Sequence, residues 1–412
     1  MGLADRQRRR PGRRAAPPTT YRELFSYREF RFLYAGQALS YLGDQVAAVA
    51  VAVLVFDRTN SALWSAVAYA SAWLPGIVGG PILSPYADRL PRRTVMISCD
   101  VARAALIALV PVVPLWTAIL LLYVAHLFSP PFVAARAAIM PEVLPGEAYI
   151  TGNGLSNVTS QLSQLLGFVG GGIVVATIGP VWSLLANAAT FVASAALIAA
   201  GVGHRPAAAR STGLLAESRD GIRYLWADPW LRRCLALVWV ASAFSFAPEA
   251  IAYPYAASLG GGPVQAGLLL AAPATGFMVG TIVLTRLIRD RSLMPAALLS
   301  TVALVPALAD PGLPVLLILL MLAGAGASFI VPLNAIFVRR VAPEFRGRAM
   351  GVASSGLLAG QGLAFLAAGA AVQAGLAPAV VVGLSGLLGI AAIVATRPAI
   401  VSRRSLLTRG YS

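Results

Sequence analysis

The chain has 412 residues, 58% of them hydrophobic and only 12% charged, about half the charge of a soluble domain. With a mean hydropathy of +0.76, this argues against a water-soluble enzyme and for a membrane protein. The net charge of +16 comes with no lysine at all, and the arginines stand in short blocks beside apolar segments. That placement fits membrane topology, and contacts with anionic lipid headgroups, better than nucleic-acid binding.

Residues 1–29 form an arm rich in arginine (Arg6, Arg8, Arg9, Arg10, Arg13 and Arg14). It does not read as a signal peptide, because the first apolar segment starts only near Phe30 and is too long for one. The arm is expected in the cytoplasm, with a short interfacial helix over 21–31. Apolar segments then predict spans over 30–56, 62–87, 94–113, 116–138, 153–177 and 181–201. A polar connection over 202–233 follows. The second half predicts spans over 234–257, 264–288, 293–309, 313–336, 349–373 and 377–396, then an arginine-bearing tail over 397–412.

Twelve spans with both ends inside place nearly all loop arginines on one face, with Arg58 the one basic residue in an outside loop. The expected organisation is therefore an all-α membrane protein of twelve transmembrane helices in two pseudo-symmetric six-helix bundles, 30–201 and 234–396. An internal echo agrees. The charged turn after Gly80 has a counterpart at Arg286, Arg289, Asp290 and Arg291, and Pro141-Glu142 has one at Pro343-Glu344. Duplicated halves with a pathway between them suit a transporter.

Ionisable residues inside spans are the candidates for function, since lipid makes them costly. Gln37, Ser40 and Asp44 fall at i, i+3 and i+7 on one stripe of the first span. Asp44 is then a proton or cationic-substrate site, or else a structural carboxylate bonded to neighbouring helices. Glu249 follows Pro248 in the seventh span and forms an expected acidic pair with Asp44 across the pathway. His126 lies mid-span, as a proton relay or a satisfied structural histidine. Gln161, Gln164 and Gln361 are possible cavity donors. Aromatic residues including Tyr69 and Trp73 would either line a cavity or pack against lipid. Cys99 and Cys234 read as buried thiols. Without lysine there is no Walker loop, and no metal or cofactor is expected.

The turn Asp88-Arg89-x-x-Arg92-Arg93 is similar to the loop 2–3 signature of the major facilitator superfamily. Its continuation Asp100-x-x-Arg103 resembles the drug and siderophore exporter branch. Pro91 and Ser84 stand where that signature carries glycine. The run from Gly167 to Gly172 resembles an exporter motif, with Phe168 in the proline position. The resemblance implies alternating access about a central site. It also implies a charge network of Asp88, Arg89, Arg92, Arg93, Asp100 and Arg103 that latches the cytoplasmic ends. By spacing, Asp100 and Arg103 at i, i+3 can neutralise each other, or either can reach Asp88 or the arginines of the loop. The expected function is proton-coupled efflux of amphipathic small molecules by a monomer in the cell membrane. The alternatives are a proton-coupled importer and, from another class, a non-transporting scaffold or sensor.

Overall fold

The computed structural model describes residues 20–87, 90–205, 214–287 and 293–396, and these are all-α. Asp88 and Arg89 of the charged turn lie outside them. In the first half the helices are α1 (Tyr21–Leu24), α2 (Arg28–Thr59), α3 (Ala62–Ala70), α4 (Leu74–Ala87), α5 (Arg92–Leu109), α6 (Leu115–Leu127), α7 (Ser129–Val143) and α8 (Glu147–Gly201). After the connection come α9 (Leu214–Ala227), α10 (Pro229–Phe246), α11 (Ala252–Ser258), α12 (Pro263–Leu287), α13 (Met294–Val302), α14 (Gly312–Ala327), α15 (Ile330–Arg340), α16 (Arg346–Gln373) and α17 (Pro378–Ala395). Nine helical segments among the described residues are long and apolar enough to cross a membrane.

Most breaks have a cause in the sequence. Pro130 and Pro131 follow the end of α6, and Pro248 sits in a 3-10 turn between α10 and α11, because proline removes a backbone donor and crowds the preceding turn. Within α8 the helix folds back at Gly179, whose φ of 81° suits glycine, with Pro180 starting the return. The interfacial helix expected over 21–31 is shorter. It ends at Leu24, and Arg28 already begins the long helix. The connection expected to be merely polar contains α9, where Tyr224 stacks on Phe345 at 4.4 Å.

Packing falls into three buried clusters. One takes its residues from Leu24 to Val202, a second from Leu225 to Ile393, and a third draws on both halves. Glycine sets how closely the helices approach. A Cβ on Gly167 would lie 2.6 Å from Gln45 Cβ, and one on Gly171 would lie 3.0 Å from Val46 Cα, so α8 presses against α2. The α12–α14 pair is equally close, since a Cβ on Gly276 would lie 1.8 Å from the Met321 carbonyl oxygen. Backbone cannot move aside as a side chain can. Gly276→Val is therefore expected to destabilise the fold by about 3 kcal/mol, read as an earlier thermal unfolding transition in detergent.

The two halves meet at the end of the molecule that holds Asp57. Tyr253 donates its hydroxyl to Asp57 Oδ1 at 3.1 Å, and Ser61 donates to Gln373 Oε1 at 2.7 Å. A Cβ on Gly267 of α12 would lie 2.4 Å from the Phe168 carbonyl oxygen and 3.0 Å from Gly172 Cα, both on α8. At the opposite end the arginines find partners within their own half. Arg92 donates to the Ala138 carbonyl at 2.8 Å and pairs with Glu142, while Arg93 donates to the Ala199 carbonyl.

Candidate functional site

A cavity of about 360 Å³ lies among α2, α3, α5, α6 and both arms of α8, with Leu358 of α16 closing one side. Its polar lining includes Tyr41, Asp44, Gln45, Arg103, His126 and Gln164, and its apolar wall includes Tyr69, Trp73, Phe168 and Phe191. The helices carry these groups as stripes. Asp44 follows Gln37 and Ser40 by whole turns along α2, so the three lie on one stripe of that helix, two of them buried and Asp44 opening into the cavity.

The centre of the cavity is an ion pair. Arg103 Nη2 lies 3.0 Å from Asp44 Oδ2 and 3.2 Å from Oδ1. The Arg103 side chain is 8% exposed and that of Asp44 28%, so the carboxylate is the more accessible partner. The guanidinium lies over the Phe191 ring, 4.0 Å from its centroid, which adds a cation–π contact on its face. His126 lines the same cavity and holds Nδ1 2.8 Å from the Leu122 carbonyl oxygen. The arrangement can present a carboxylate, an imidazole and aromatic faces to one small organic molecule, as ligand cavities commonly do.

This pairing corrects an expectation. Arg103 does not pair with Asp100 three residues away; it reaches Asp44 on another helix. Asp100 is fully buried, and among the described residues its carboxylate has no partner but the Ser194 hydroxyl beside it. A cross-helix partner wins because α5 packs against α8, which itself packs against α2, so the long Arg103 side chain reaches across to Asp44 while the two side chains of its own turn are aimed differently. Nor do Arg92 and Arg93 latch the two halves in this conformation. Their partners are the Ala138 and Ala199 carbonyls and the Glu142 carboxylate, all in their own half.

Glu249 departs from expectation as well. It does not line the cavity with Asp44 but sits behind the cavity wall, 8% exposed, and accepts a hydrogen bond of 2.9 Å from the Tyr69 hydroxyl. Tyr69 belongs to the first half and Glu249 to the second, so the bond ties the halves together beside the cavity. Tyr69→Phe would leave a buried carboxylate unpartnered at a cost of about 1–3 kcal/mol. The expected result is a smaller closed population at the Asp57 end, measured by spin-label distances across it.

Among the glutamines, Gln164 lines the cavity, whereas Gln161 does not. Gln37 and Gln361 are buried, each with its side-chain oxygen unpartnered among the described residues. Lining residues that escaped the sequence reading include Tyr41 and Gln45 on α2 and Asn187 and Phe191 on α8. The signal was present: Ser183, Asn187, Phe191 and Ser194 share one buried stripe of α8 at helical spacing. The network of Arg205 with Glu29 (2.7 Å) and Glu142 (2.9 Å) was also missed, because it joins residues far apart in the chain.

Apolar helices enclosing a cavity with a desolvated ion pair define a class of membrane protein that carries solutes. The Major Facilitator Superfamily model matches residues 33–297 and 250–407, and the chain belongs to that superfamily. It is a secondary transporter that moves small solutes across the membrane, not an enzyme. It is 27% identical over 348 residues to the multidrug efflux pump Tap of Mycolicibacterium fortuitum, covering 79% of this chain and 85% of the relative. It is 29% identical over 349 residues to the Tap protein of Mycobacterium tuberculosis (strain ATCC 25618 / H37Rv), covering 79% and 83%. The crystal structure of the nucleoside transporter NupG superimposes with a TM-score of 0.71 at 14% identity, over 90% of this chain and 98% of that one, a likeness of fold.

Proposed function

We propose that this chain exports amphipathic small molecules, cationic ones foremost, in exchange for protons by alternating access. The observation that carries this reading is the Asp44–Arg103 pair in a cavity walled by aromatic rings. A carboxylate more accessible than its partner can exchange a proton or meet a cationic substrate, and rings accept an apolar body. The likeness to the multidrug efflux pumps named above favours the export direction. One elementary charge moving through the field is worth about 2.3 kcal/mol per 100 mV, enough to drive accumulation without nucleotide.

On this reading the nine long segments become twelve crossings. The fold-back at Gly179 divides α8 in two, α5 with its 3-10 extension adds one, and the shorter apolar segment Met294–Ala309 adds another. Residues 30–201 and 234–396 are then two six-helix bundles joined by 202–233, in keeping with the two clusters that each stay within one half. Arginine placement puts the Arg92 end, the N-terminal arm and the tail over 397–412 in the cytosol. The closed Asp57 end is then the outer gate and the conformation faces inward. In the alternate state the Asp88, Arg89, Arg92 and Arg93 turn would close the cytoplasmic end.

The test is transport by the purified chain in proteoliposomes against a panel of cationic dyes and drugs. An imposed proton gradient should drive substrate opposite to proton flow. Movement in the same direction as protons would make the protein an importer; no gradient-dependent movement of any solute would overturn the reading.

A further inference from the structure

One turn from the Asp44–Arg103 pair, away from the Asp57 end, lies a set of buried oxygens that the transport reading leaves unused. Among the described residues, Gln37 Oε1 and Ser40 Oγ have no hydrogen-bond partner, and the Asp100 carboxylate has none but the Ser194 hydroxyl beside it. All four residues are at least nine-tenths buried, with Asp100 and Ser194 at 0% exposure. Buried polar groups are nearly always paired, so several orphans together ask for a common partner.

Their depths agree. Gln37 lies on α2 nine residues from Arg28, Asp100 on α5 eight from Arg92, and Ser194 on α8 seven from Gly201. At 1.5 Å rise per residue all three sit roughly 10–14 Å from the same end of the molecule, and Ser40 is about one turn further in. Lateral placement agrees too. A Cβ on Gly36 would lie 2.9 Å from Ser194 Oγ, and Ser40 follows Gly36 by one turn on the same face. Ser194 also stands beside the Asp100 carboxylate.

The local charge does not balance. The charged groups that act on Asp100 are a second carboxylate, Asp44, and one guanidinium, Arg103, which is already bonded to Asp44. An uncompensated charge at such depth is costly. A proton on Asp100 would supply one donor, and one donor satisfies one acceptor. A hard cation accepts several oxygens at once. The donor set is oxygen only, and its single net negative charge matches one positive charge.

We infer that Gln37, Ser40, Asp100 and Ser194 form a binding site for a small monovalent cation of the sodium class. The site adds a second ion to the proposed transporter, and the binding itself does not depend on proton coupling. Arg103, bonded to Asp44 and three residues from Asp100, stands between this site and the cavity. A cation at Asp100 would repel the guanidinium toward Asp44 and so favour the ion pair seen here.

The experiment compares thermal unfolding of the purified, detergent-solubilised chain in sodium chloride and in choline chloride at equal ionic strength, alongside equilibrium binding of radioactive sodium. The unfolding midpoint of the parent should rise saturably with sodium. Gln37→Leu and Ser194→Ala, each a single lost ligand, should weaken half-saturation by about tenfold or more, and Asp100→Asn should remove the response. If Asp100→Asn does not fold, the other two variants decide. Equal midpoints in the two salts with no displaceable sodium would overturn the inference and leave a proton on Asp100, as would unchanged sodium affinity in the Gln37 and Ser194 variants. Proton-driven dye transport is measured on the same preparation, so loss of the sodium response with transport intact would remove the cation site alone.

Discussion

Asp44→Asn is expected to abolish gradient-driven transport and to lower the stability of the protein at the same time. The exchange keeps the shape of the side chain but removes its charge, leaving Arg103 with an 8% exposed side chain and no counter-ion. Removing one member of a buried ion pair costs about 3–5 kcal/mol, because the other must stay desolvated and unpaired. Stability and coupling can be separated by a second change. Asp44→Asn with Arg103→Gln removes both charges, so it should recover much of the lost unfolding temperature while transport stays absent. A double-mutant cycle on unfolding then gives the coupling between the two residues. Gradient-driven dye flux in Asp44→Asn liposomes within a few-fold of the parent would remove Asp44 from the mechanism.

Gly267→Val is expected to have its effect on the conformational equilibrium. A Cβ at this position would stand 2.4 Å from the Phe168 carbonyl oxygen and 3.0 Å from Gly172 Cα. Both are backbone atoms of the facing helix, so no rotamer change relieves the contact. Overpacking of this kind costs about 1–3 kcal/mol, and a tenfold shift in a two-state equilibrium needs only about 1.4 kcal/mol. The closed arrangement bears the cost, whereas a state with this end open does not. The readout is Ser61→Cys placed in a background where Cys99 and Cys234 are replaced by alanine. Ser61 is buried in the closed contact with Gln373, so labelling by a membrane-impermeant maleimide should accelerate about tenfold or more in the Gly267→Val chain. Unchanged labelling would mean that this glycine contact does not hold the end shut.

Much of the architecture was legible from residues alone. Charge-free apolar segments marked membrane helices, since lipid tolerates no unsatisfied backbone and few charges. The glycines between Gly167 and Gly172 announced close helix packing, and Pro248 announced a broken helix. Asp44 was identifiable because a carboxylate inside an apolar span needs a reason to be there.

Partners were another matter. Spacing suggested that Asp100 and Arg103 neutralise each other, yet Arg103 reaches Asp44, 59 residues away, and Asp100 is left buried with only the Ser194 hydroxyl beside it among the described residues. Glu249 was legible as an intramembrane acid, but its partner Tyr69, 180 residues distant, was not. Periodicity gives the face of a helix on which a residue lies and says nothing of which helix stands opposite. The sequence by itself determined a membrane-embedded helical carrier with acids in its interior, because hydropathy and charge are properties of each segment. The tertiary structure alone decided that one acid holds an arginine in the cavity, another ties the halves together and a third is fully buried beside Ser194. Those choices depend on inter-helix distances, which the packing of glycine-rich surfaces sets.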